Sequence, residues 1–316
     1  MGTVQAPPSK WSGLLWLDLT RKCQLACRHC YNDSGPDGAH GTMTREGWLS
    51  VLDQAAACGV RTVQLIGGEP TLHPDAAALA EHALNRGLTV EIFSNLVHVS
   101  PRWWTLFRRE GVEVATSYYS DRAEEHDAMT ARRSHARTRA NIAKAVQLGV
   151  TLRVGIIGDA QQRIAAASED LRDLGVTSIG SDHVRPFGRG GHNQAPDPAG
   201  LCGRCGSGRA SVGPDGEVSP CVFSGWLGVG NVRDTPLATI LGGTAMVEAN
   251  AAIRGATRTP DCSPTNCQPK GCYPRQTPCG PAQTPCAPKG DFPPPCNPDN
   301  QECRLGTPGT ICGPRR

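Results

Sequence analysis

Aromatic side chains make up only 5% of the 316 residues and hydrophobic ones 38%, thin material for one dense core running the length of the chain. No stretch approaches the roughly 18 consecutive apolar residues of a membrane-crossing helix. The first residues, Met-Gly-Thr-Val-Gln-Ala-Pro-Pro, hold no apolar run of signal length, so the expected location is the cytoplasm, with no membrane partner. Long runs of one charge are also missing. The net charge is +3 and the signs alternate along the body, which leaves no footprint for a nucleic-acid groove.

Glycine (37), proline (26) and cysteine (15) are plentiful instead. Eight of the cysteines fall within residues 258–316, and setting that segment aside leaves an ordinary globular body. In a reducing compartment an odd set of cysteines points to metal ligands, whereas in a secreted chain it would point to disulfides.

Between residues 14 and 190 one punctuation recurs. A helical stretch stops at glycine and an apolar strand follows, at Gly59-Val60, Gly87-Leu88, Gly111-Val112, Gly149-Val150 and Gly175-Val176. Amphipathic windows precede these stops. Trp48, Val51, Leu52 and Ala55 lie at helical spacing, and Ser100-Pro101 supply a cap and first turn ahead of Trp103, Trp104 and Phe107. Strands are predicted at 14–19, 62–66, 89–93, 113–116, 152–157 and 177–179. Six strands alternating with helices make a parallel α/β array, either an open barrel or a doubly wound sheet. In both, chemistry collects at the carboxyl ends of the strands. Those ends carry a cysteine triplet, then Gly67-Gly68-Glu69-Pro70, then Ser94-Asn95, then Ser117.

From Gly188 the pattern breaks. Residues 209–222 read as a β-hairpin turning at Gly213-Pro214-Asp215-Gly216, and one helix is predicted over 236–254. Seven of the eight tail cysteines are followed two residues later by proline, which blocks helix and sets each in a turn. Such a segment cannot bury a core alone, and metal is the expected source of its order.

Cys23, Cys27 and Cys30 offer three thiolates within eight residues. An iron–sulfur cubane that only carries electrons takes four protein ligands, so three leave one iron open. A zinc site is the alternative. With Gly67-Gly68-Glu69-Pro70 beginning 37 residues after Cys30, the segment from about 12 to 190 resembles the radical S-adenosylmethionine superfamily. That resemblance implies a partial (βα)6 TIM-like barrel and a [4Fe–4S] cluster on the three cysteines. Its open iron would chelate S-adenosylmethionine, and reductive cleavage would yield a 5′-deoxyadenosyl radical that takes hydrogen from substrate. It places Gly67, Gly68 and Glu69 against the methionine amine, largely through backbone, His29 against the adenine and Ser117 near the ribose, with Asn95 a weaker candidate. The electron would come from a flavodoxin or ferredoxin.

Downstream, Cys202 and Cys205, followed by Gly216-x4-Cys221 on the hairpin, resemble the SPASM/twitch extension, which implies one or two auxiliary [4Fe–4S] clusters. Candidate ligands are Cys202, Cys205, Cys221, Cys262, Cys267, Cys272, Cys279, Cys286 and Cys296, the tail spacings departing from the full pattern. A zinc ribbon on Cys202 and Cys205 is the alternative. Arg185, in the segment leading out of the barrel, reads either as a contact to the cofactor carboxylate or as half of a salt bridge. Cys58 reads as packing, and His73 and His82 as loop and helix-surface residues.

The resulting organisation is a barrel over 12–190, a hairpin and helix over 191–257, and a cysteine-rich tail over 258–316. The branch is similar to maturases of ribosomally made peptides, so the expected substrate is a precursor peptide to be crosslinked, epimerised or oxidised. A small molecule such as an amino sugar or nucleoside is the alternative substrate, and an electron carrier or zinc-stapled scaffold the non-enzymatic reading. Only about a dozen residues precede the first strand, too few for a peptide-recognition domain in front, so leader binding would fall to a separate protein or to the barrel surface.

Overall fold

The computed structural model describes residues 13–203, 205–206 and 208–257. Six parallel strands come first, β1 (Leu14–Asp18), β2 (Thr62–Ile66), β3 (Thr89–Phe93), β4 (Val112–Tyr118), β5 (Leu152–Ile157) and β6 (Ser178–Asp182). Between them run α1 (Arg45–Ala57), α2 (Ala76–Asn85), α3 (Pro101–Phe107), the pair α4 (Ala123–Thr130) and α5 (His135–Gln147), and α6 (Gln161–Asp173). The strands lie in the order β6-β5-β4-β3-β2-β1, each beside its predecessor in sequence. A doubly wound sheet would reverse that order at a switch point. Here it never reverses, and the sheet is the open partial barrel.

The far edge of β1 is occupied by β7 (Arg209–Val212), which runs parallel to it and pairs antiparallel with β8 (Glu217–Ser219); β8 in turn pairs with β9 (Gly230–Asn231). The hairpin therefore continues the barrel sheet. Its turn stands on the same rim as the end of β1, where Asp215 accepts from the backbone N–H and hydroxyl of Thr42 at 3.0 and 2.9 Å.

The expected stops hold: all five glycines adopt the left-handed conformation, with φ between +67° and +86°. Trp48, Val51, Leu52 and Ala55 form the buried stripe of α1. Truncating Trp48 to alanine would cost about 3–5 kcal/mol. Pro101 opens α3 and Ser100 stands at its cap, but the Ser100 side chain makes no cap hydrogen bond. The helix expected over 236–254 is two helices, α7 (Leu237–Leu241) and α8 (Thr244–Thr257), separated by Gly242 and Gly243, where helix propensity is lowest. β4 and β6 run further than expected, to Tyr118 and Asp182. Cys58 caps the C-terminus of α1 and is half-buried, outside the core.

Strand residues alternate between two cores. Leu15 and Leu17 of β1 join Val63, Leu65, Val90 and Ile92 under the helices. Leu14 and Trp16 point the other way, into the barrel, with Ile66, Phe187, Cys205 and Cys221. The barrel interior also holds charge. Arg153 on β5 donates twice to Glu91 on β3, at 2.7 and 2.7 Å, and Gln64 on β2 contacts the same carboxylate. Removing one partner of a buried pair like this typically costs about 3–5 kcal/mol, so the network fixes the strands beneath the rim.

Among the described residues no helix is long and apolar enough to cross a membrane. Beside β4, His126 is buried among the rings of Tyr118, Tyr119 and His135, and its Nδ1 has no hydrogen-bond partner. Burial, with the nearby His135 adding to it, pulls this imidazole down to about 4. Between about pH 6.5 and 4 the unfolded chain therefore binds a proton that the folded chain refuses, and stability falls as pH falls through that window. The expected slope is up to about 1.4 kcal/mol per pH unit. Thermal melts from pH 7 to 4.5 should show it, and His126→Phe should flatten the acid limb.

Candidate functional site

The cysteine triplet sits in a loop that runs from Leu19 to Thr42 and is tied down along its length. Arg21 N–H donates to the Ala39 carbonyl at 2.8 Å, Gly35 N–H to Arg21 at 3.0 Å and Cys23 N–H to Gly35 at 3.0 Å, closing the base. Ala26 and Arg28 N–H groups donate to the Thr130 and Met129 carbonyls at the end of α4, at 3.2 and 2.9 Å. The third support is Arg189, in the helical turn Gly188–Gly191 after β6. Its Nε donates to the Cys27 carbonyl at 2.7 Å, one terminal nitrogen to Ser34 at 2.6 Å, and its backbone N–H to Cys30 at 2.9 Å.

Close approach of backbones explains the two glycines after β2. Gly68 N–H donates to Thr20 at 2.7 Å and Glu69 N–H to Lys22 at 2.9 Å. A Cβ on Gly67 would fall 2.6 Å from the Thr20 carbonyl oxygen and one on Gly68 2.4 Å from that of Lys22. The loop can seat itself on the β2 exit only because neither residue has a side chain. With the segment's N–H groups spent on the loop, the Gly67 and Gly68 carbonyls take no hydrogen bond from the described residues. They are free to accept from an ammonium group.

One cavity gathers the rim. Its wall holds Cys23, Cys27, Cys30 and His29 from the loop, Gly67 and Gly68 after β2, Asn95 after β3, Ser117 from β4 and Ile157 from β5, with Asp182 at the end of β6 and His183 and Arg185 beyond it. The three thiols are free, and among the described residues no three His, Cys, Asp or Glu groups converge closely enough for a single metal ion. In a cubane each thiolate meets a different iron, so separated sulfurs on one wall are what it requires. Burial pushes the Cys27 thiol up to about 12 and raises Cys23 and Cys30, so thiolates here need a compensating cation. Burial likewise pulls His29 down to about 4, and its Nδ1 is buried without a partner. A cavity wall offering three thiols, two free carbonyls and an orphaned ring nitrogen fits a three-thiolate cluster with S-adenosylmethionine.

The Glu69 side chain turns away from that cavity. It accepts from the Thr71 N–H and hydroxyl at 3.1 and 2.7 Å and from Asn95 N–H at 2.8 Å, tying the β2 and β3 exits together. Asn95 in turn exchanges a hydrogen bond with Gln24 at 3.0 Å. Arg185 lines the cavity, but Asp182 holds its guanidinium by contacts of 2.8–3.0 Å, as in the salt-bridge reading. His73 lies in the loop before α2, as expected, and is buried against His40, and His82 pairs with Asp53 at 2.6 Å.

Two further residues escaped sequence reasoning. Tyr119 packs edge-on against His29 at 4.8 Å and lines the cavity beside Cys27, directly after the end of β4. Tyr31 follows Cys30 directly and packs on Phe223 at 5.0 Å, linking the triplet loop to the hairpin side. There Cys205 and Cys221 are both buried and hydrogen-bonded to each other, which holds Cys221 below its ordinary range and pushes Cys205 up. Cys202 packs against the same apolar cluster. Cys262, Cys267, Cys272, Cys279, Cys286 and Cys296 lie outside the described residues.

The profile of the radical SAM superfamily matches residues 17–171, and that of an iron–sulfur cluster-binding domain, SPASM, matches residues 202–272. The chain belongs to the radical S-adenosylmethionine superfamily, in its SPASM-bearing branch. That membership carries a [4Fe–4S] cluster, S-adenosylmethionine and auxiliary clusters. The antilisterial bacteriocin subtilosin biosynthesis protein AlbA of Bacillus subtilis is 29% identical over 186 residues, 55% of this chain and 40% of that protein. A PqqA peptide cyclase of Xanthomonas campestris is 39% identical over 97 residues, 31% of this chain and 23% of its own length. The chain thus spans less than half the length of these relatives. In fold it is similar to Streptococcus suis SuiB bound to S-adenosylmethionine, with a TM-score of 0.66 at 14% identity over 82% of this chain and 71% of that one. Native anSMEcpe with bound AdoMet and a peptide gives a TM-score of 0.61 at 13% identity, covering 81% and 86%.

Arg189 joins both ends of the triplet loop to the barrel exit and brings a positive charge beside Cys27 and Cys30. Arg189→Gln should lower the iron retained per chain after reconstitution and move the cluster midpoint potential to more negative values, because reduction adds an electron beside the lost cation. Arg189→Lys should recover the potential better than the iron content. Iron assay and a potential titration followed by electron paramagnetic resonance check both effects.

Proposed function

We propose that this chain is a peptide-modifying radical enzyme in which Cys23, Cys27 and Cys30 hold the [4Fe–4S] cluster and the cavity above β1–β6 binds S-adenosylmethionine. The observation that carries the reading is the convergence of three free thiols, the Gly67 and Gly68 carbonyls and His29 on one wall. When bound, the cluster and S-adenosylmethionine supply a one-electron cleavage that yields a 5′-deoxyadenosyl radical able to take hydrogen from an unactivated C–H. The chain's own residues do the positioning. The two carbonyls accept from the methionine amine, His29 lies along the adenine with its Nδ1 available to it, and Ser117 stands where the ribose would lie. Tyr119 braces His29 through their edge-on ring contact. The apolar walls, Leu25, Ile66, Phe93, Ile157 and Phe223, exclude water from the reacting end.

A peptide substrate is supported by the relatives, one named for subtilosin biosynthesis and the other for cyclising the PqqA peptide. It is also supported by a second, polar cavity of about 730 Å³ that shares Tyr31 and Phe223 with the first and reaches the hairpin turn. A chain segment can lie there while one residue reaches the radical. Cys202, Cys205 and Cys221 begin an auxiliary cluster site, completed by tail cysteines, and the setting is the cytoplasm. Replacing Cys23, Cys27 and Cys30 together by alanine should reduce 5′-deoxyadenosine formation to background while the downstream cysteines still hold iron. Deuterium on a residue of a precursor peptide that the enzyme modifies should appear in 5′-deoxyadenosine. Transfer from a labelled amino sugar or nucleoside, with none from peptide, would assign a small-molecule substrate.

A further inference from the structure

The electron this reading requires comes from outside the chain, and the charge on the surface over the triplet indicates what brings it. Arg28 lies between Cys27 and Cys30 and is exposed, as is Lys22 just before Cys23. Any protein touching Arg28 is therefore only a few covalent bonds from two of the three thiols. The triplet loop rests on the end of α4 through its bonds to Met129 and Thr130. The chain leaves α4 through Ala131, whose φ of +53° turns it sharply, and presents Arg132 and Arg133, both exposed.

Some arginines of the barrel are matched with carboxylates, Arg86 with Asp53, Arg139 with Asp170 and Arg163 with Asp121 and Glu125, while others, such as Arg108 and Arg109 at the far end of α3, enter no ion pair among the described residues. Among the described residues, Lys22, Arg28, Arg132 and Arg133 enter no ion pair. The neighbouring carboxylate, Asp127, is committed to the backbone N–H groups of Ser134 and His135, at 2.9 Å each. The exposed carboxylates of the loop, Asp33 and Asp37, come after the triplet. Uncompensated cations thus flank the triplet, two in its loop and two in the segment on which that loop rests.

We propose that Lys22, Arg28, Arg132 and Arg133 form the docking face for an acidic one-electron donor protein, which passes its electron across the Cys27–Cys30 turn. The transfer is balanced by itself: the donor is oxidised by one electron, the triplet's cluster is reduced by one, and no bond or proton moves. The proposal rests on the triplet holding that cluster. Complementary charge across such a face speeds encounter and makes it sensitive to salt.

The test uses the full chain, reconstituted without oxygen, and an acidic flavodoxin kept reduced by its reductase, with dithionite as the small reductant. Binding of the flavodoxin should weaken as salt rises. The double variant Arg132→Glu, Arg133→Glu should lose roughly tenfold or more in affinity and in flavodoxin-driven 5′-deoxyadenosine formation at low salt. Its dithionite-driven rate should stay within about twofold of wild type, a level that also reports correct folding. The milder Arg132→Gln, Arg133→Gln pair should fall between. Reversing Arg108 and Arg109, exposed at the end of α3 on the opposite end of the barrel, should change neither. Unchanged flavodoxin binding in the Arg132 and Arg133 variants, or an equal loss from the Arg108 and Arg109 reversal, overturns the proposal. So does a loss confined to an acidic peptide such as polyglutamate, which would assign the face to substrate. Absence of 5′-deoxyadenosine from wild type with dithionite would instead remove the functional reading beneath it.

Discussion

Everything at the rim depends on one close packing, that of the triplet loop upon the backbone leaving β2. To hold the proposed cluster, three thiolates would have to be kept apart on one wall, and the loop that carries them has no regular structure to stiffen it. Its rigidity comes from neighbours. The β2 exit supports it from below through Gly67 and Gly68, α4 from one side through Met129 and Thr130, and the barrel exit from the other through Arg189. Gly188 belongs to the same constraint, since a Cβ there would fall 2.4 Å from the Cys30 carbonyl oxygen. Any side chain at these glycines would push the loop, and the thiols with it, away from the cavity. The same contacts spend the Gly68 and Glu69 N–H groups and leave the Gly67 and Gly68 carbonyls without a donor among the described residues, which favours a donor such as an ammonium over an anion.

The fold was legible because it is periodic. Five glycine stops and six apolar strands mark a parallel α/β array, and the cysteine triplet, Gly67-Gly68, Asn95 and Ser117 fall at consecutive strand ends that the structure brings to one cavity. The βα period alone does not separate an open barrel from a doubly wound sheet, which differ in which edge of β1 is covered; the motif resemblance implies the barrel, and the strand order bears it out. Here the hairpin strand β7 takes that edge. Arg189 and Tyr119 were missed for a related reason. Their partners are the Cys27 carbonyl and the His29 ring, far off in sequence, and nothing local distinguishes them from surface residues. Glu69 shows the opposite case: its place in the motif marks the right segment, while its own carboxylate serves to join two strand exits.

The two cysteine regions are physically coupled through the barrel interior. Leu14 and Trp16 of β1 pack with Cys205, Cys221 and Phe187, and Tyr31 reaches from Cys30 to Phe223. Because β7 continues the sheet from β1, the buried Cys205–Cys221 pair is set by the same strand that launches the triplet. An auxiliary cluster there would be held at a fixed separation from the catalytic one, with substrate in the cavities between them.

The central claim is that Cys23, Cys27 and Cys30 leave one iron open for S-adenosylmethionine. Mössbauer spectroscopy of the chain reconstituted with the Mössbauer-active isotope of iron, recorded with and without S-adenosylmethionine, tests it most directly. The account predicts that one iron of the triplet-bound cluster changes its isomer shift as the methionine end adds to its coordination, and that replacing the three cysteines by alanine removes the change. A spectrum that S-adenosylmethionine leaves unmoved, or one that moves equally in the triple variant, would contradict it.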